Sequence, residues 1–356
     1  MESKLLATFA AGTASVALLA GVASAATPTT KIETPKSVYF IFTGYAYPYF
    51  APMAEAVKQA ASHYPDMTVK IVNANNSASD EIADINEAVA GGAKGVILNT
   101  IQESVTATAD KAMKAGVPIV TVDRDVSNPS ARIAFIGDND ETLGREETQY
   151  GVDTLAKLNI PKPLHVVVLQ GTLGASVSIG RLKGAMDVLQ PLIDKKEVQL
   201  VLNQSADFAT DKAQAMMSAE LAKTTDIQLV VCGNDAMALG VINALKTHGI
   251  APGEKTLVVG ADAQPESLDA IKVGTQLDTV THAPFVEAYW AVEAMNNYLT
   301  NGEKPPEAKF PHGEVIIPMT LVDKANVGKI AAWGTPQAIA PLPYGVSQTF
   351  SVTSAK

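Results

Sequence analysis

The chain is organised around a repeated arrangement: a short apolar run ends in a cluster of polar or aromatic residues, and the series occurs in two similar halves. In the first half Val38–Phe42 leads to Thr43–Phe50, Val69–Val72 to Asn73–Asn76, Gly95–Leu98 to Asn99-Thr100, and Val117–Val122 to Asp123-Arg124. In the second, His165–Leu169 leads to Gln170–Gly174, Val198–Val201 to Asn203–Ser205, Leu229–Cys232 to Asn234-Asp235, and Leu257–Val259 to Asp262. Gly44 and Gly171 lie about 130 residues apart, as do Val69 and Val198, so the repeating unit is a domain and not a solenoid turn. Strands buried on both faces of a parallel sheet read as unbroken Val/Ile/Leu runs, as these do. Between them lie residues at helical spacing: Met53, Val57 and Ala60; Ile82, Ile85 and Val89; Met216 and Leu221; Met237, Val241 and Leu245. This alternation predicts the α/β class, with two similar doubly wound parallel-sheet lobes. Ligands of such sheets bind beyond the carboxyl ends of the strands, where the polar clusters fall. Two facing lobes would enclose a cleft between two rims of hydrogen-bonding groups.

Composition supports two ordinary cores and excludes some partners. The 356 residues are 47% hydrophobic and 18% charged, with no disorder signature. A formal net charge of −10 and the lack of any basic run argue against nucleic acid, whose phosphates require clustered Lys and Arg. At the N-terminus Lys4, the apolar stretch Leu5–Val22 and the A-x-A motif Ala23-Ser24-Ala25 predict a cleavable export signal over residues 1–25. A retained anchor is the competing reading, because the stretch approaches the ~20 residues of a spanning helix; its small residues and cleavage motif favour removal. Cys232, the single cysteine, sits in an apolar run and reads as a small buried hydrophobe. Beyond Val327 the chain turns irregular, and residues 331–356 are expected to form an extension that packs on the surface or frays.

Catalytic motifs are absent. The nearest approach to a nucleophile elbow, Gly174-Ala-Ser176-Val-Ser178, lacks the second glycine. There is no H-E-x-x-H motif and no cysteine pair, and His63, His165, His248, His282 and His312 are scattered, so neither metal nor cofactor is expected. Gly171-Thr-Leu-Gly174 matches no phosphate-binding loop and reads as a turn that lets backbone approach a ligand or the other lobe.

The strand ends instead carry Asp123, Arg124, Asp235 and Asp262, with Arg181 opening a helix-like stretch and Tyr45, Tyr47, Tyr49, Phe50 and Phe208 nearby. A neutral polyhydroxylated ligand calls for this mixture: carboxylates accept from its hydroxyls, guanidinium and amide groups donate to its oxygens, and aromatic rings cover its C–H faces. Taken singly, each residue has a structural reading, as turn former, helix cap, local ion pair or core ring. Their joint placement favours a binding site.

With these residues in view the chain resembles the periplasmic sugar-binding proteins of ABC importers, in the ribose-binding-protein-like branch whose type I periplasmic binding fold is shared with LacI-type repressors. The resemblance runs from about Ser37 to Val327, through Tyr47-Pro-Tyr-Phe50, Thr121-Val-Asp-Arg124, Leu169-Gln-Gly171 with Gly180-Arg-Leu-Lys-Gly184, Ala206-Asp-Phe208, Gly233–Gly240 and Val258–Asp262. It implies that Tyr49 and Phe50 stack on one sugar face and Phe208 on the other, with Asp123, Arg124, Arg181, Asn234 and Asp262 holding hydroxyls. Tyr47 replaces an asparagine of the family pattern, His282 an amide such as glutamine, and Asn139-Asp140 stands for an Asp-Asn pair.

The resemblance further implies lobes of residues 26–137 plus 283–312 and 138–282 plus 313–330. A three-segment hinge would join them, crossing near Gly137–Asn139, His282–Pro284 and Pro311–Glu314 and closing on a ligand. A monomer in the periplasm is expected, capturing a monosaccharide or polyol for a membrane ABC permease. Competing readings are a sugar-sensing receptor subunit for a chemoreceptor or sensor kinase, a binder of a non-sugar small molecule, an enzyme acting on a sugar, and a LacI-type repressor. The last is disfavoured because an export signal occupies the place of a helix-turn-helix.

Overall fold

The computed structural model describes residues 35–333 and 338–346, and the backbone of 350–351. The expected export signal lies outside the described residues. The first half forms β1 (Lys36–Phe42), α1 (Phe50–Ala61), β2 (Met67–Asn73), α2 (Ala78–Ala90), β3 (Gly95–Asn99), α3 (Thr106–Lys114), β4 (Ile119–Val122) and β5 (Ala134–Gly137). The second half forms α4 (Asp140–Ala156), β6 (Leu164–Gln170), α5 (Ser176–Asp194), β7 (Val198–Ser205), α6 (Thr210–Leu221), β8 (Leu229–Cys232), α7 (Asp235–Thr247), β9 (Leu257–Val259) and α8 (Pro265–Val273). The chain continues through β10 (Thr279–Val280), α9 (Pro284–Asn301), β11 (Glu314–Ile316) and β12 (Leu321–Val322).

Two parallel sheets result, ordered β11-β5-β4-β3-β1-β2 and β7-β6-β8-β9. The stretch β2-β1-β3-β4 of the first lobe has the same order as β7-β6-β8-β9 of the second, so the sequence repeat is also a topological one. Each order reverses beside its leading strand, β1 or β6, which opens a crevice at the carboxyl edge of the sheet. Every residue of β3, β4, β8 and β9 is buried, as strands covered by helices on both faces require. Met53, Val57 and Ala60 of α1, and Met237, Val241 and Leu245 of α7, are buried as their spacing predicts.

The first crossing between lobes joins β5 to α4 at Gly137–Asp140, and the second joins β10 to α9 at Thr281–Ala283. The third departs from expectation. β11 pairs with β5 (Glu314↔Phe135, Ile316↔Gly137) and the Ile317 N–H donates to Gly137 O at 2.9 Å, so residues 314–316 belong to the first lobe. The crossing therefore follows Ile317, before β12 pairs with β10, and not near Pro311–Glu314. This strand escapes a sequence reading because it has three residues, of which only Val315 is buried. The adjoining Pro311–Gly313 turn, with His312 and Gly313 at positive φ, imitates a boundary.

Helix α9 comes from late in the chain yet fills the first lobe, burying Phe285, Ala288, Tyr289, Val292 and Met295. The C-terminal extension, where described, is anchored and not frayed. Trp290 Nε1–H donates to Ala340 O at 2.7 Å, the Lys309 ammonium donates to Pro343 O at 3.0 Å, and Ile339, Leu342 and Tyr344 are buried. Cys232 is fully buried, and burial pushes its thiol well above the usual range, which suits a core residue and not a nucleophile. Among the described residues no helix is long and apolar enough to cross a membrane.

Glu81 in α2 is fully buried; its Oε2 accepts the Ile101 N–H at 2.9 Å, while Oε1 has no partner. Burial raises its pKa from 4.5 to about 8, against the lowering effect of the Ile101 N–H. Because the folded value is the higher, the associated stability is complete below pH 4.5 and is lost as pH rises through 8. Urea denaturation of wild type and Glu81→Gln between pH 5 and 9 should show wild type losing stability relative to the variant as pH rises. Parallel curves would mean that Glu81 titrates normally.

Candidate functional site

The carboxyl edges of the two sheets border a narrow cleft lined by Tyr47, Tyr49, Phe50, Asp123, Arg124, Val177, Arg181, Phe208, Asn234, Asp262 and His282. All ten residues expected from sequence meet there; Val177, an apolar residue of α5, carried no signal. Tyr47, Tyr49 and Phe50 come from the β1–α1 connection and Asp123 and Arg124 from the end of β4. The second lobe supplies Arg181 from α5, Phe208 from before α6, Asn234 from the end of β8 and Asp262 from after β9, and His282 lies on the second crossing. Three of these, Asp123, Phe208 and Asp262, hold positive φ angles of 61°, 55° and 104°, a conformation costly for side-chain-bearing residues and commonest at functional sites. Tyr45 and Asp235 do not line the cavity. Tyr45 is exposed, while Asp235 is buried and accepts from Gln264 N–H, Gln276 Nε2 and the Thr279 hydroxyl, tying the β8 and β9 ends together.

Arg124 stands in an aromatic cage. Its guanidinium carbon lies 5.3 Å from the Phe50 ring centroid, 5.5 Å from Phe208 and 5.8 Å from Tyr47. The cation is buried, Nε has no acceptor, and Nη1 reaches Ile101 O only at 3.5 Å. Asp123, 3.7 Å from Arg124, is oriented by Asn99, whose Nδ2 donates to Asp123 Oδ2 at 2.6 Å and whose Oδ1 accepts the Thr43 hydroxyl at 2.9 Å. Burial, with Glu287 adding to it, pushes the Asp123 carboxyl up to about 7. Asn234 caps α7, its Oδ1 accepting the Met237 N–H at 3.0 Å, so its amide NH₂ remains for another partner.

Arg181 binds the second lobe's rim together. Nε donates to Asp140 Oδ1 at 2.9 Å, and Nη1 to Asp262 Oδ1 and Gly233 O, both at 2.8 Å. Nη2 lies 2.9 Å from His282 Nδ1. The other imidazole nitrogen, Nε2, lies 2.9 Å from Glu287 Oε1, 3.3 Å from Asp123 Oδ1 and 3.7 Å from Asp138 Oδ2. Burial alone would lower the His282 pKa, but Glu287 and Asp138 hold it well above the usual range. Burial would likewise raise Asp262, yet Arg181 and His282 keep it low. Tyr49 stacks on the imidazole at 4.7 Å and donates its hydroxyl to Glu287 Oε2 at 2.7 Å, so one ring face is already taken. The rings gathered around Arg124 are Tyr47, Phe50 and Phe208, while Tyr49 lies against His282.

Asp138, Glu287 and Trp333 also shape the site and were not singled out from sequence, and Asn99 and Asp140, named there only in a strand-end cluster and in a hinge pair, join them. Asn99 and Asp140 lie in strand-end clusters of the kind that mark the others. Glu287 sits inside α9, and Trp333, which packs edge-on against Tyr49 at 5.2 Å and donates to Asp262 O at 3.0 Å, sits in the irregular tail; neither position carries a signal.

A family model described as a periplasmic binding protein domain matches residues 38–304. The chain belongs to that family. It is 30% identical to the ribose import binding protein of Bacillus subtilis over 72% of this chain and 79% of that protein. With the galactofuranose-binding protein of Escherichia coli it shares 26% identity over 87% and 98% of the two chains. The crystal structure of a Caulobacter myo-inositol binding protein superposes with a TM-score of 0.74, at 26% identity, covering 83% of this chain and 96% of that one. The two lobes are thus those of a type I periplasmic binding fold.

Gly171 permits the cage to form, because a Cβ there would lie 1.9 Å from Phe208 Cζ. Gly171→Ala should displace the Phe208 ring and destabilise the protein by about 1–3 kcal/mol, the usual range for overpacking, as read from urea denaturation. An unchanged midpoint would show that the ring is not held against the glycine.

Proposed function

We propose that the protein is an exported solute-binding protein that captures a monosaccharide or polyol between its lobes in the periplasm and delivers it to an ABC permease. The observation that carries this reading is the Arg124 cage. A buried guanidinium with an unpartnered Nε, ringed by Tyr47, Phe50 and Phe208, offers donors for ring or hydroxyl oxygens beside surfaces that cover C–H faces. Asp123 of the first lobe and Asp262 and Asn234 of the second face the same cavity with acceptors and an amide, so a ligand contacts both lobes only when they are closed. Such a ligand shifts the population towards the closed form by its differential affinity, and that form is what a permease can select. The ribose, galactofuranose and myo-inositol proteins similar to this chain are named for ligands of this chemical class. The protein acts as a binder and returns its ligand unchanged.

The test is a thermal-shift panel of pentoses, hexoses, furanose sugars and polyols on protein refolded free of co-purified ligand. A ligand present at a hundred times its Kd adds about 2.7 kcal/mol to the native state, so one sugar class should raise the midpoint by several degrees. No shift with any of them would overturn the reading.

Arg124→Ala should weaken binding of the sugar so identified at least ~30-fold, about 2 kcal/mol, the loss of a charged hydrogen bond. Because Arg124 is the nearest cation to the buried Asp123 and fills the space between three rings, the unliganded variant should melt below wild type, so affinity is compared at a temperature where both are folded. Calorimetric titration showing wild-type affinity would remove Arg124 from the site.

A further inference from the structure

We propose that His282, Asp123 and Glu287 form a site for a divalent transition-metal cation of the zinc class, set in the wall of the cleft. Scattered histidines carry no metal signature along the chain; the fold brings one of them among carboxylates from separate elements. The ligand atoms of the three residues all lie within 4.8 Å of one another, and all three side chains are buried. His282 Nε2 is 2.9 Å from Glu287 Oε1 and 3.3 Å from Asp123 Oδ1. Nitrogen and oxygen ligands at ~2.0–2.2 Å from a tetrahedral zinc lie roughly 3.3 Å from one another, which the Nε2–Asp123 separation already matches, while the triad as a whole, within 4.8 Å, closes in on the ion.

The charge balance points the same way. Four carboxylates, those of Asp123, Asp138, Asp262 and Glu287, lie within 3.7 Å of the imidazole nitrogens. The guanidiniums beside them are Arg181, engaged with Asp262 and Asp140, and Arg124, 3.7 Å from Asp123. A buried carboxylate is costly unless compensated. Asp138 is the group left unsatisfied: its side chain is 1% exposed, it faces Nε2 at 3.7 Å, and neither of its oxygens has a hydrogen-bond partner. A dication at Nε2 would supply more positive charge than a proton there, and a water on the metal would give Asp138 a donor.

The opposite side of the ring suits this role. Nδ1 lies 3.2 Å from Asp262 Oδ1, so with the metal on Nε2 an Nδ1–H donates to that carboxylate, the arrangement that commonly orients metal-binding histidines. Arg181 Nη2, held 2.9 Å from Nδ1 by the planar guanidinium's bonds to Asp140, Asp262 and Gly233 O, donates to that nitrogen in the metal-free form, so metal binding requires the imidazole to slide along Asp262 and away from Nη2.

The test uses tag-free protein, stripped with a chelator and free of sugar, so its outcome does not depend on the ligand proposed above. Calorimetric titration with zinc chloride should give one site per chain, weakened at least ~100-fold in both His282→Gln and Glu287→Gln, each checked for folding by circular dichroism and melting. Absence of saturable binding in wild type, or equal affinity in the folded variants, would overturn the site in favour of surface histidines. Zinc X-ray absorption on loaded wild type gives a reading independent of any variant. A shell with one imidazole and oxygen ligands supports the assignment, whereas none or two imidazoles overturns it.

Discussion

The organisation of the cleft depends on one buried cation, Arg181. Its guanidinium spends its donors on Asp140, Asp262, Gly233 O and the neighbourhood of His282, so it fixes the start of α4, the ends of β8 and β9 and the second crossing at once. His282 passes the constraint to the first lobe through Asp123 and Glu287. A charge chain thus runs through buried space from one lobe to the other. Removing one member of such a chain leaves its partners uncompensated, so its parts depend on one another more than their separate contacts indicate.

Arg181 reaches this position because two helices pack without side chains between them. A Cβ on Gly144 of α4 would lie 2.1 Å from Arg181 O, and one on Gly184 of α5 would lie 2.0 Å from Glu141 O. Small residues at that contact bring α5 close enough to α4 for Asp140 to meet the guanidinium. The geometry of the cavity therefore begins in helix packing some distance from any ligand.

Much of this was legible in the sequence, for identifiable reasons. Parallel strands covered on both faces leave long apolar runs, and polar residues gather where those runs end, so Asp123, Arg124, Asn234 and Asp262 could be placed on the rims from pattern alone. Arg181, Tyr47 and Phe208 were candidates by their nearness to those ends, but their roles, and His282 altogether, needed the family resemblance, because a lone aromatic or basic residue fits a core or a solvated face equally well. Glu287 lies within a helix that also buries Glu293 and Asn297 among its apolar and aromatic side chains, and only the folded chain shows that it is the one that meets His282 and Tyr49. Asp138 was hidden by its place in a crossing, where an Asp ordinarily reads as a turn former. β11 was lost to brevity, since one buried residue in three gives no period to detect.

The route of the chain sets an order on assembly. The second lobe's parallel sheet is drawn from one continuous stretch, β6 to β9, whereas the first lobe needs α9 and β11, which emerge only after that sheet has been made. A chain delivered from its N-terminus, whether from a ribosome or through a translocation pore, therefore carries an incomplete first lobe until nearly its whole length has appeared. Until then the face of β3 and β4 that α9 covers stays open, and that face is available to a chaperone during passage. The lobe that begins first is thus the lobe that is finished last.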